Sequence, residues 1–141
     1  MKFNLLGNSD LKVSNYCLGT MTFGEQTNEI DSHLQMDKAF EAGINFFDTA
    51  EMYSTCPIRE ETAGKTETII GSWLKNNFSK RDRLVLATKV IGNEYKFIRD
   101  GGPINSKSVR IALEGSLKRL NTDYIDLYQL HWPNRGSYHF R

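Results

Sequence analysis

Cysteine, proline and net charge are all scarce in this chain of 141 residues, which has 2 cysteines, 3 prolines and a formal net charge of +1. Cys17 and Cys56 lie far apart and lack metal-ligand spacing, so the sequence predicts reduced thiols in a cytoplasmic protein, with neither a disulfide framework nor a metal site. The absence of a basic run argues against binding to nucleic acid or to an anionic membrane. The apolar runs are too short for a signal peptide or a membrane span, so we expect no membrane partner.

Several catalytic signatures are also missing. The segment from Gly19 to Gly24 lacks the glycine spacing of a Rossmann or Walker phosphate loop. The chain has no nucleophile elbow, and His33 and His139 are isolated in sequence. What remains is an ordinary composition, with 39% hydrophobic and 25% charged residues, which is typical of one globular domain.

Strand and helix patterns alternate along most of the chain. A turn cluster at 7–10 separates two short apolar segments, which predicts a β-hairpin within residues 1–14. Residues 15–141 follow as one domain of about four βα units, which implies a parallel sheet. The predicted strands span 16–20, 44–48, 84–89 and 125–131, and the predicted helices span about 31–42, 65–77 and 106–120.

The helix boundaries can be predicted from capping residues and apolar spacing. Asp31 or Ser32 would cap the first helix, with Leu34 among its core contacts, and Asn105 or Ser106 would cap the third. Apolar residues recur every three or four positions in the third helix, so one face should pack on the sheet. These residues are Val109, Leu113, Leu117 and Leu120.

Three of the four predicted strands end on an ionisable residue, namely Asp48, Lys89 and His131. The carboxyl ends of parallel strands meet on one face, where α/β enzymes bind their ligands. A lysine after the apolar stretch 84–88 needs a carboxylate partner or a catalytic role, unless it reaches out of the strand end to water. Asp48 could instead cap the turn that follows it. Together, the two residues predict an ion pair on a catalytic face.

Tyr53 and His131 are the candidate proton-transfer residues. Tyr53 lies five residues after Asp48, and a nearby Lys89 ammonium would lower the tyrosine pKa and make the hydroxyl a usable acid. Without such a neighbour, a single tyrosine in a loop is usually a partly buried packing residue. His131 is either a satisfied core histidine or a hydrogen-bond partner for a substrate oxygen.

Three segments, taken together, resemble the aldo-keto reductase superfamily. They are residues 43–53 (GINFFDTAEMY), residues 87–89 (ATK) and residues 116–133 (SLKRLNTDYIDLYQLHWP). The similarity is greatest to the bacterial Tas-type branch, which is related to potassium-channel β subunits. The three segments occur in the family's order, and the resemblance covers nearly the whole chain.

The resemblance implies a function and a set of site residues. Asp48, Tyr53, Lys89 and His131 match the family's catalytic tetrad, which reduces a small carbonyl substrate with hydride from NADPH. In that reaction Tyr53 would protonate the carbonyl oxygen, Lys89 held by Asp48 would tune the tyrosine, and His131 would orient the carbonyl. The nicotinamide contacts implied by the resemblance are Thr20, Met21, Gln26 and Asp48, and the substrate pocket would include Met52 and Trp132.

The resemblance also implies a (β/α)8 TIM barrel, which typically has about 250 residues. This chain corresponds to the N-terminal half, so we expect a truncated product whose open sheet edges favour self-association. Two alternatives to an active reductase remain open, an inactive truncated fragment and a non-enzymatic regulatory or redox-sensing subunit. The retained His131 argues against the second alternative.

Overall fold

A computed structural model describes residues 1–134. The segment 135–141, which contains His139 and the end of the predicted barrel domain, lies outside the described residues. The chain begins with the predicted hairpin, in which β1 (Phe3–Leu5) pairs antiparallel with β2 (Lys12–Ser14).

The rest of the fold is a parallel sheet with helices between its strands, as predicted. The strands are β3 (Leu18–Gly19), β4 (Phe46–Asp48), β5 (Val85–Val90) and β6 (Leu127–Leu130), and their order in the sheet is their order in the chain. The helices are α1 (Glu29–Glu41), α2 (Lys65–Asn76) and α3 (Ser106–Leu120). This is the arrangement of four successive units of half a barrel. Between residues 1 and 134, no helix combines the length and the hydropathy needed to cross a bilayer.

The cap predicted for α1 was wrong, and so was one of its predicted core contacts, Leu34. Asn28 caps this helix by accepting the Asp31 N–H at 2.9 Å, and the Ser32 hydroxyl donates to the Asn28 carbonyl at 2.7 Å. Leu34 is exposed, whereas Met36 is fully buried. The reason is helical geometry: Leu34 lies about 200° around the axis from both Ser32 and Met36, which face the core.

For α3, the predicted cap was correct, but the predicted set of core-facing residues was incomplete. The Asn105 side chain accepts the Ser108 N–H, and the Ser108 hydroxyl accepts the Asn105 N–H, which forms a capping box. The fully buried positions are Ala112, Ser116 and Leu120, while Val109, Leu113 and Leu117 are half-buried. The end of α3 approaches α2 most closely at Gly71, where a Cβ atom would overlap the Arg119 carbonyl oxygen.

Two apolar clusters fill the interior. The larger one lies between the sheet and the helices and includes Phe23, Met36, Phe47, Ile70, Trp73, Leu86 and Leu120. The second lies at the carboxyl ends of the strands and comprises Ala50, Met52, Ile91, Ile98 and Trp132. We call this second group the rim cluster. Because it surrounds the strand ends, it forms the apolar support of the candidate site.

Candidate active site

Strand register brings the predicted strand-end residues to one edge of the sheet. Asp48 is the last residue of β4 and pairs with Ala87 of β5, while Lys89 pairs with Gln129 of β6. The His131 N–H donates to the Val90 carbonyl at 2.9 Å, so His131 continues the ladder just beyond β6. The three ionisable side chains therefore share the carboxyl edge, as the sequence predicted.

Lys89 and Asp48 form a partly buried ion pair. The Lys89 Nζ atom lies 2.6 Å from Asp48 Oδ2 and donates to the Thr49 carbonyl at 2.7 Å. Asp48 Oδ1 accepts from Gln129 Nε2 at 3.2 Å. The lysine side chain is only 13% exposed, so the alternative in which it extends to water does not hold.

Tyr53 completes the group of four residues. Its Oη atom lies 3.4 Å from His131 Nε2, and the two rings meet edge to face at a centroid distance of 5.5 Å. The Lys89 Nζ atom lies 5.0 Å from the centroid of the Tyr53 ring. The loop after β4 therefore brings Tyr53 to the residues at the strand ends.

The pKa of Tyr53 shifts in the direction opposite to the prediction. Burial, reinforced by the Asp48 carboxylate, raises the pKa of Tyr53 to about 12. The expectation that the Tyr53 pKa would be lowered was wrong, because burial disfavours the charged phenolate and the nearby Asp48 carboxylate repels it. Tyr53 consequently keeps its proton at neutral pH and is available as an acid.

His131 is neutral in this environment. Burial, together with the nearby Lys89 charge, lowers the pKa of His131 to about 4. Its Nδ1 atom is buried and has no hydrogen-bond partner within residues 1–134. A neutral imidazole can present a donor or an acceptor from Nε2, depending on its tautomer, without adding a charge to the site.

A pocket of about 320 Å³ opens beside Tyr53 and His131. Both predicted pocket residues, Met52 and Trp132, line it. The other lining residues are Met21, Thr55, Ile58 and Tyr95. None of these six side chains carries a charge, so the pocket suits an apolar or aromatic group next to the Tyr53 hydroxyl.

The three residues predicted to contact the nicotinamide, apart from Asp48, lie in different environments. Thr20 is buried, and its hydroxyl donates to the Asp48 carbonyl at 2.8 Å. Met21 is 45% exposed at the pocket. The Gln26 amide donates to the Cys56 carbonyl at 3.3 Å. Thr20 thus fixes the backbone at Asp48, and Met21 offers an exposed apolar surface.

Sequence reasoning missed two features of the site. Gln129 contacts Asp48, and its position two residues before His131 could have indicated this, because alternate strand residues share a face. The second feature is an ion pair between Glu51 and Arg99 beside the rim cluster. The two partners are 48 residues apart, and no local pattern joins them.

Comparison with known proteins agrees with this geometry. The model of the aldo/keto reductase family matches residues 15–138. The chain belongs to this family. It is 51% identical over 140 residues to protein tas of Escherichia coli (strain K12), covering 97% of this chain and 40% of that protein. It is 44% identical over 144 residues to the uncharacterized oxidoreductase YrpG of Bacillus subtilis (strain 168), covering 97% and 42%.

The fold agrees with that of a solved relative. The holo form of the aldo-keto reductase AKR11C1 from Bacillus halodurans superposes with a TM-score of 0.73 and 38% identity, over 93% of this chain and 40% of that structure. The chain thus spans less than half the length of the relatives it matches. Family membership confirms the resemblance and supports an oxidoreductase role.

Proposed function

We propose that the protein is an NADPH-dependent carbonyl reductase that converts small aldehydes and ketones into alcohols. The observation that carries this proposal is the contact between a protonated Tyr53 and a neutral His131 at the apolar pocket. Membership in the aldo/keto reductase family supports the same reaction class.

Each residue of the group has a role in this reaction. The Tyr53 hydroxyl gives its proton to the carbonyl oxygen, which His131 Nε2 holds by a hydrogen bond. As the proton leaves, negative charge develops on Tyr53, and the Lys89 ammonium stabilises it from the adjacent position. Asp48 fixes that ammonium, and Gln129 fixes Asp48. The tyrosine therefore starts as a stable acid and is assisted once the proton begins to move.

The residues present fit a nicotinamide cofactor, which supplies the hydride when bound. The Asp48 carboxylate keeps 29% exposure and can accept a hydrogen bond from a ribose hydroxyl. The exposed Met21 side chain offers an apolar surface for a flat ring, and we assign Thr20 and Gln26 to the supporting shell of that site. A cytoplasmic location belongs to the same proposal, and it is supported by the free thiols of Cys17 and Cys56.

The test is turnover by the purified chain, followed as NADPH consumption together with alcohol formed from para-nitrobenzaldehyde. The Tyr53→Phe variant removes the proton donor and should lower turnover by about 10² to 10⁴-fold. Tyr16→Phe is the matched control, because Tyr16 is an exposed tyrosine. Equal rates for wild type and Tyr53→Phe, or no turnover by the wild type, would overturn the proposal.

We further propose that the chain self-associates through the open edge of its sheet. Within the part that the structure describes, β6 pairs only with β5, and Leu130 at this edge is 64% exposed. An unpaired edge with an exposed apolar side chain favours pairing with another strand. Light scattering during gel filtration should show a dimer or larger species. The Leu130→Lys variant should elute as a monomer, and a monomeric wild type would contradict the idea.

A further inference from the structure

The pocket wall is tied down by an ion pair that lies outside the catalytic group. Glu51 belongs to the loop after β4, two residues before Tyr53, and its carboxylate is almost fully buried. Arg99 donates to both carboxylate oxygens, from Nη2 to Oε1 at 2.5 Å and from Nε to Oε2 at 3.1 Å. The Ile91 N–H donates to the same carboxylate at 2.7 Å. One carboxylate thus joins the loop after β4 to the segment after β5.

Arg99 also closes the segment 91–99 on itself. Its Nη2 atom donates to the Ile91 carbonyl at 2.8 Å, so the last residue of the segment is bonded to the first. Arg99 and the following Asp100 both adopt left-handed backbone conformations, with φ of 50° and 57°. Such φ values are uncommon outside glycine, and they are retained where the surroundings fix the backbone.

The closed segment carries part of the pocket wall. Tyr95 lies inside it and lines the pocket, with its ring 6.5 Å from that of Trp132. Ile91 and Ile98 belong to the rim cluster, where they are grouped with Met52 and Trp132. Fixing the two ends of the segment therefore fixes the position of Tyr95 in the wall of the pocket that Tyr53 also lines.

We propose that Glu51 and Arg99 are positioning residues that set the width of the substrate pocket by holding Tyr95 against Trp132. This proposal rests on the carbonyl reductase function proposed above, which identifies the pocket as the substrate site. A buried ion pair is a poor source of stability compared with apolar packing, and its bidentate geometry is better suited to fixing a loop. The pair favours carbonyl substrates with a flat apolar or aromatic group.

The first test needs no turnover and so is independent of the proposed activity. The chain has 2 tryptophans, and a Trp73→Phe background leaves Trp132 as the only tryptophan, which can be excited selectively at wavelengths that tyrosine does not absorb. In this background, Arg99→Met should shift Trp132 emission to longer wavelength and increase its quenching by acrylamide. Arg119→Met is the matched control, because Arg119 also pairs with a fully buried carboxylate, that of Glu67, and does not line the pocket.

The conservative variant Arg99→Lys keeps the charge and loses the bidentate fork, so it should give a smaller shift in a chain that still folds. The proposal is overturned if Arg99→Met and Arg119→Met change the emission equally, or if Arg99→Lys leaves it unchanged while Arg99→Met does not fold. In turnover assays, Arg99→Lys should raise KM for para-nitrobenzaldehyde about tenfold with little change in kcat. A loss confined to kcat would place the pair in proton transfer and would also overturn the proposal.

Discussion

The buried, neutral state of His131 predicts a specific dependence of stability on pH. Its pKa falls from the usual 6.5 to about 4 in the folded chain. Between those values the unfolded chain binds the extra proton and the folded chain does not, so the free energy of unfolding rises with pH across this window. A shift of this size corresponds to about 3 kcal/mol, which the partial exposure of the ring reduces to about 2 kcal/mol.

The matched variant is His131→Gln, because glutamine keeps a polar side chain and cannot be protonated in this range. Urea unfolding followed by circular dichroism, at neutral pH and at a pH near 4, gives the fall in stability for each protein. The fall should be about 2 kcal/mol larger in the wild type than in His131→Gln. Equal falls would mean that His131 is not buried in its neutral form, and the electrostatic description of the site would be refuted.

Three further predictions concern single substitutions, each measured by urea unfolding. Lys89→Met leaves the Asp48 carboxylate without its cation and should lower the free energy of unfolding by about 2 kcal/mol. Lys75→Met, at an exposed position of α2, should change the free energy of unfolding little. Equal losses in the two variants would contradict the contribution of the ion pair. Gly71→Ala should destabilise the fold by about 1–3 kcal/mol, because the added Cβ atom would overlap the α3 backbone. In Gly115→Ala the added Cβ atom contacts only the end of the Arg119 side chain, so this variant should be neutral or stabilising. Asn105→Ala should cost about 1 kcal/mol through loss of the capping box, and no loss would contradict that role.

The fold could be predicted from the sequence where a feature is local. The turn cluster at 7–10 indicated the hairpin, and the alternation of strand and helix patterns indicated the parallel sheet. The Asn105 cap was predictable because a capping box uses residues only three positions apart. The cap of α1 was missed because several polar residues precede its apolar positions, and only the backbone conformation selects Asn28.

The catalytic face was predictable because strand ends in a parallel sheet coincide in space. That rule brought Asp48, Lys89 and His131 together from sequence alone, and the structure places Tyr53 beside them. Charge effects were not predictable in the same way. The direction of the Tyr53 pKa shift depends on burial and on the distance to the Asp48 carboxylate, and both follow from tertiary packing.

The Glu51–Arg99 ion pair could not be predicted from the sequence, for a related reason. Glu51 and Arg99 belong to no periodic pattern or motif, and a charged residue in a loop is usually exposed. Only the fold brings the two loops together and excludes water from the carboxylate. The rim cluster and Tyr95 became recognisable as pocket walls in the same way.

The most direct test of the account follows the hydride itself. The purified chain is given para-nitrobenzaldehyde and NADPH that carries deuterium at the transferring position of the nicotinamide, and the alcohol product is analysed by mass spectrometry. Hydride transfer from the nicotinamide predicts a singly deuterated alcohol from the wild type, and proton donation by Tyr53 predicts about 10² to 10⁴-fold less of it from Tyr53→Phe. Unlabelled alcohol, or equal labelled yields from both proteins, would contradict the account.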